Sequence, residues 1–297
     1  MPTKEDGLPA GDTARPGSIA ELERRAEAGD GAAANLLGDH YREGGAVSQD
    51  LNLAFRWYSR GAEFGDREAQ NNLGTLFLDG LGCERDKAQA IHWYRKSAEQ
   101  GQPTAQYNLA KRYYGGDGID QDYAEARKWF EKAAAQGETW ASCELGTMHR
   151  FGQGVPRNLL AAAEFHLIAA ETGDDVAWGN IAEYRAELEV MALSGSQLAS
   201  LFLSRIYNRG FGVDKSQPMT WAWIYCAKKY GLSDVYPDTA QELDEAYHFY
   251  HMCITSENRK EGQRLLRNLR AAHARRTGKS GRAKEGGAHR HRPTKQP

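Results

Sequence analysis

The chain has 297 residues, enough for one or two domains with a sizeable core, and contains no run of eighteen apolar residues that would span a membrane. Its formal net charge of -2 is unevenly spread, because eight Lys/Arg and one Glu from Arg275 to Pro297 carry +7 and leave -9 on residues 1–274. An acidic body argues against extended nucleic-acid binding and leaves only nonspecific contact of the basic tail with a polyanion.

Four widely spaced cysteines, Cys83, Cys143, Cys226 and Cys253, form no CxxC pair and read as thiols in a reducing compartment. The N-terminal MPTKEDGLPAGDTARPGS has no apolar core of a secretion signal, so the expectation is a cytoplasmic protein without a membrane partner. Residues 1–17, rich in Gly, Pro, Asp and Thr, read as disordered. Residues 18–30 contain IAELERRAEAG, whose Gly29 lies 36 residues before Gly65, so this segment reads as half a repeat capping the N-terminal end.

From residue 31 the chain matches itself at a shift of 36. NLLGDHY (35–41), NNLGTLF (71–77), YNLAKRY (107–113) and CELGTMH (143–149) fall in phase, as do WYSRGAEFG (57–65), WYRKSAEQG (93–101), WFEKAAAQG (129–137) and FHLIAAETG (165–173). Four copies of helix, glycine-bearing turn and helix therefore occupy 31–173, the signature of a solenoid. In the third copy Ala105, Leu109, Ala110 and Tyr113 form the apolar stripe of the first helix, and Ala126, Trp129, Phe130 and Ala133 that of the second. Asp122 followed by Glu125 reads as a capping box, and Gly137 as the cap that ends the unit. Ala33, Ala69, Ala105, Ala141 and Ala199 mark one level of close helix approach, and Ala54, Ala90, Ala126 and Ala162 another. Gly38, Gly74 and Gly146 read as helix–helix contacts, with Ala110 at the same phase, because a glycine inside a helix costs about 1 kcal/mol and needs a packing reason.

Residues 174–195 read as a helical insertion that displaces the fifth copy, 196–231, by 22 residues. Two helices within 232–276 read as a C-terminal cap, with Leu265, Leu266, Leu269 and Ala272 facing inward and Arg264, Arg267 and Arg270 in water. Residues 277–297 read as a disordered basic tail.

The units AQNNLGTLFLDGLGCERDKAQAIHWYRKSAEQG (69–101) and AQYNLAKRYYGGDGIDQDYAEARKWFEKAAAQG (105–137) resemble the Sel1-like repeat family. The fourth copy departs in its Phe165-His166 pair, the first in GGAV (44–47), and the fifth in Ser204 at the glycine phase. The resemblance implies an all-α, right-handed α-solenoid of about five repeats, akin to tetratricopeptide arrays, and a role as a protein-interaction scaffold. Cysteine-rich relatives associated with β-lactams carry repeat-wise cysteine pairs; this chain does not, so that activity does not carry over.

Residues at three fixed phases of the first helices form one row that would line the concave side of a curved array. The row runs Asn35/Asp39/Arg42, Asn71/Thr75/Leu78, Tyr107/Lys111/Tyr114, Cys143/Thr147/Arg150 and Leu201/Arg205/Asn208. Tyrosines flanked by cations and amides are the usual composition of a protein interface, although the same tyrosines could complete packing between repeats. No catalytic or cofactor-binding residue is assigned. GGDG (115–118) and GFG (210–212) lack the strand and the Lys-Ser/Thr pair of a phosphate loop. Asp244, His248 and His251 share a helix face but lack the ligand set of a zinc site. The leading expectation is a non-enzymatic scaffold binding a protein or peptide. The alternatives are an inhibitor or immunity-type protein acting on a basic toxin or enzyme and, second, a helical metal-dependent enzyme.

Overall fold

A computed structural model describes residues 18–45, 47–230, 246–249 and 251–277, and all regular structure among them is helical. The expected disordered ends, 1–17 and most of 277–297, lie outside the described residues, as do residues 231–245 of the expected cap. The described chain falls into two compact units, one ending at Asn180 and the other beginning at Ile181. No described helix is long and apolar enough to cross a membrane.

In the first unit α1 (Ile19–Glu27) precedes four helix pairs: α2 (Gly31–Glu43) with α3 (Leu51–Glu63), α4 (Arg67–Asp79) with α5 (Lys87–Glu99), α6 (Pro103–Gly115) with α7 (Tyr123–Ala134), and α8 (Thr139–Phe151) with α9 (Leu159–Glu171). The alanines at both predicted close-approach levels are fully buried. One side chain of each second helix fills the space beside its partner: Tyr58, Tyr94, Phe130 and His166, none of them exposed by more than 1%. Each lies 20 residues after the small residue of the first helix. A Cβ added at Gly74 would sit 2.8 Å from Tyr94 Cδ1, and one at Gly146 2.5 Å from His166 Cδ2, so the glycines are close-packing positions. In α1, Leu22 and Ala26 hold the corresponding buried phases, which makes the helix half a repeat packed on α2.

The expected buried role of Trp129, and with it of Trp93 at the same phase of the second repeat, is corrected. The indoles of Trp57, Trp93 and Trp129 are half-buried, one residue and therefore about 100° around the helix from the core aromatic. Trp93 and Trp129 each meet the ammonium of a lysine one turn on: Lys96 at 4.6 Å and Lys132 at 3.9 Å from the ring centroid.

Each turn is closed by the same bonds. Asp50, Asp86, Asp122 and Asn158 cap the second helices through two backbone N–H groups apiece. Their own N–H groups donate to the carbonyls of Tyr41, Phe77, Tyr113 and His149. The residue before each cap, Gln49, Arg85, Gln121 or Arg157, reaches a last-turn carbonyl of the preceding helix at 2.7–3.1 Å. The expected capping box is therefore only half formed. The Asp122 N–H is taken by Tyr113, and the Glu125 carboxylate turns to Lys128 at 2.5 Å.

GGDG ends α6 and crosses to the preceding repeat. Gly116 is left-handed, the Asp117 carboxylate binds both Arg112 and Lys87, and Gly118, at φ +81°, lies over Lys87, where a Cβ would come 2.8 Å from that residue's own Cβ. Gly137 closes the unit as expected. It donates to Ala134 while Glu138 donates to Ala133, the two bonds of a Schellman closure.

The insertion is a single helix, α10 (Asp175–Leu193). Its ends keep the chemistry of two different helices. Ala177 and Ile181, both buried, continue the phase of Ala141 and Leu145. Leu188 and Ala192 precede Gly195 as His166 and Ala170 precede Gly173, with the same closing bonds. One continuous helix thus runs through where other repeats turn.

In the second unit α11 (Gln197–Arg209) packs on α12 (Gln217–Tyr230), and α13 (Ser256–Thr277) packs on α12. Tyr247 covers Leu201, Ile224 and Ala227. Leu266 is buried while Leu265, Leu269 and Ala272 are half-buried, and Arg264 and Arg267 are exposed. Arg270 corrects the expectation: it is half-buried and reaches the Cys226 sulfur at 3.3 Å. Gly262 allows α13 to close on the Pro218 carbonyl, from which a Cβ would be only 2.4 Å away.

Tyr94→Ala is expected to cost about 3–5 kcal/mol in urea unfolding, as expected for truncating a fully buried aromatic. Trp93→Ala, removing a half-buried ring, should cost clearly less; equal losses would show that the two aromatics have been assigned the wrong faces.

Candidate protein-binding face

The predicted row divides into side chains used between repeats and side chains left outward. Asn35 and Asn71 accept from the amides of Asn72 and Asn108 in the following repeats, at 2.9 and 3.0 Å. Asn180 reaches the Cys143 sulfur at 3.6 Å in the same register. These rungs are 37 residues apart and form a polar ladder along the first helices of the first unit. Asn71 and Cys143 are buried within it.

Between the third and fourth repeats the ladder is replaced. Tyr107 stands where Asn35 and Asn71 stand, and Glu144 stands where Asn72 and Asn108 stand. Glu144 pairs with Lys111 at 2.7 Å instead. The half-buried Tyr107 ring lies 5.8 Å from Phe130 and 6.0 Å from Trp140. Burial pushes its phenol up to about 12, aided by the charges of Glu144 and Glu138.

The next phase satisfies the polar tips of the buried second-helix side chains. Asp39 accepts from the Tyr58 hydroxyl at 2.6 Å, Thr75 meets the Tyr94 hydroxyl at 3.1 Å, and Thr147 meets His166 Nε2 at 3.4 Å. Phe130 has no polar tip, and Lys111 at this phase is free to join Glu144. In the third phase Arg42 pairs with Asp39 at 3.4 Å, Tyr114 donates to Gln153 at 2.7 Å, and Arg150 lies over the exposed Phe151 ring at 4.7 Å. Leu78 is half-buried against the cluster shared by α5 and α6, between the second and third repeats. In the second unit Leu201 is buried, Arg205 half-buried and Asn208 exposed.

Sequence reasoning missed Trp140, the single exposed residue among seven tryptophans, at 58% exposure. The signal was available in phase comparison: the same position holds Ala32, Glu68, Thr104 and Val176 elsewhere.

Cys143, His166, Asp174 and Asn180 also converge unexpectedly. Burial pushes the Cys143 thiol up to about 12, with the Asp174 carboxylate adding to the shift. Burial lowers His166 to about 4. Both groups are held neutral, the reverse of a thiolate–imidazolium pair. His248 and His251 are exposed beside Tyr247, and Asp244 lies outside the described residues. Among the described residues no group of three His, Cys, Asp or Glu could hold a metal ion.

A family model for the Sel1 repeat matches residues 31–66, 67–102, 103–138, 141–174 and 197–232. Among solved structures, the chain is similar to a protective antigen present in uropathogenic Escherichia coli strains displaying an SLR fold. That match has 28% identity and a TM-score of 0.56, and covers 88% of this chain but 57% of the other. The chain therefore spans little more than half of that relative. A Sel1 repeat protein from Oxalobacter formigenes matches at 24% identity and a TM-score of 0.49, covering 76% of this chain and 96% of that one. Comparison with curated proteins finds no match.

His166 makes stability pH-dependent. Its folded value of about 4 lies below the ordinary 6.5, so the unfolded chain takes up the proton first as pH falls through that window. The groups around it are Arg150, Asp174, Cys143, Thr147 and Asn180. His166→Phe should reduce the stability lost between pH 7 and pH 5 by about 2 kcal/mol in urea titrations. An equal loss in both proteins would refute the assignment. With iodoacetamide at pH 8, exposed Cys253 should react in the folded chain and Cys143 only after unfolding; modification of folded Cys143 would contradict the thiol's environment.

Proposed function

The chain belongs to the Sel1 repeat family, and from that premise we propose that it is a non-catalytic scaffold holding a protein or peptide partner on the first-helix face of its first four repeats. The observation that carries this reading is Trp140: a large aromatic left exposed beside Tyr107, at a position that packing does not require in any other repeat. Lys111 and Glu144 set an ion pair one turn along from Tyr107 and Trp140, and Tyr114 and Arg150 lie further along the same helices, a mixture of aromatic and charged groups as in a protein interface. The neutral Cys143–His166 pair supports the non-catalytic part. Four free thiols fit the cytoplasmic setting proposed with it.

Cross-linked affinity capture from the host cell, quantified by mass spectrometry, tests the face. Tyr107→Ala with Lys111→Ala should deplete a specific partner about tenfold, corresponding to roughly 1.4 kcal/mol. Arg127→Ala with Glu131→Ala, an exposed pair on α7, should not. Circular dichroism should show all variants equally helical. Equal recovery by both variants would remove the face assignment. A captured enzyme whose activity the chain abolishes would replace the scaffold with the inhibitor reading.

A further inference from the structure

The third-to-fourth repeat junction gives up a structural device and gains a chemical one. Elsewhere in the first unit the first helices are tied by ladder rungs through Asn35, Asn71 and Cys143. Here the rung pair is Tyr107 and Glu144, and the position before Ala141 is Trp140, so two aromatics that break the repeat pattern meet at 6.0 Å with their rings tilted by 45°.

Carboxylates outnumber cations around them. Glu138 stands at the N-cap of α8, yet its carboxylate caps nothing and makes no ion pair with a described residue. Asp174 caps α10 through Val176 N–H at 2.9 Å and has no cationic partner among the described residues. Glu144 and Glu138 act electrostatically on the Tyr107 phenol, and Asp174 does so more weakly. The cation of the group, Lys111, is committed to Glu144. Residues 1–274 carry -9 overall, a field that draws cationic segments toward this surface.

We propose that Tyr107, Trp140, Glu138 and Asp174 form a recognition site for an arginine side chain presented by an extended segment of the protein partner. The planar guanidinium stacks on an aromatic face and donates in a fixed fork to carboxylates, which suits two tilted rings flanked by Glu138 and Asp174. The site rests on the binding face proposed above and names the chemistry that occupies it.

The test uses the full-length chain and blocked pentapeptides, acetyl-Gly-Gly-Arg-Gly-Gly-amide and its citrulline and glutamate counterparts, followed at the Trp140 indole N–H by NMR. The arginine peptide should shift that resonance saturably in the millimolar range. Citrulline, isosteric but neutral, should bind about tenfold more weakly, as should arginine to Glu138→Gln or Tyr107→Leu. Glu131→Gln, on the opposite helix row, should bind as wild type. Absence of a saturable shift, equal binding of citrulline, an unaltered Glu138→Gln affinity, or a shift with glutamate instead would each overturn the proposal. Loss of the captured partner from the Tyr107/Lys111 variant without arginine binding would leave the face standing and sink this site. Arginine binding with unaffected partner capture would do the reverse.

Discussion

The structure depends on a pairing of small against large. In each of the first four repeats a glycine or alanine of the first helix faces one ring of the second: Gly38 and Tyr58, Gly74 and Tyr94, Ala110 and Phe130, Gly146 and His166. The helices close tightly because the Cβ is missing or minimal, and the ring fills the gap that closure leaves. Within the fold the ring then has no access to water, so any polar atom at its tip needs a partner. That requirement assigns the facing position: Asp39 for Tyr58, Thr75 for Tyr94, Thr147 for His166.

The third repeat shows how the same constraint leaves room for function. Phe130 makes no demand on its facing residue, so Lys111 reaches across to Glu144. Glu144 in turn is no longer an amide rung, and Tyr107 takes the place of the asparagine that would have received it. The junction is held by ring contacts and an ion pair where its neighbours are held by amide bonds. Trp140 is added on the outside of that substitution, where solvent rather than packing surrounds it. A partly exposed ion pair contributes less than about 1 kcal/mol, so aromatic contact is the larger element of this junction.

Several features were legible because they repeat. The alanine levels, the interior glycines, the half-repeat at α1 and the closure at Gly137 all follow from period and from the sterics of glycine and alanine. Other features were not. Trp93 and Tyr94 are both large and adjacent, and pattern alone does not say which faces the partner helix; the close approach at Gly74 selects Tyr94. Asp122 and Glu125 have the spacing of a capping box, but Tyr113 already supplies the acceptor for the cap's N–H. Arg270 sits among wet arginines in the sequence and turns toward Cys226 because α13 closes on α12 at Gly262.

The amino-acid sequence by itself determined the repeat, its helical pairs and the small positions where they touch, because these are local and periodic demands of backbone and side-chain volume. It also placed Tyr107 and Lys111 on one face. Only the tertiary structure decided which members of that face are consumed in holding neighbouring repeats together and which remain outward. Asn71 and Cys143 are absorbed, while Trp140, unremarked within its own helix, stands exposed beside Tyr107. The reason is that rungs and ring contacts join residues 33 to 37 positions apart. Their partners exist only once adjacent repeats have stacked.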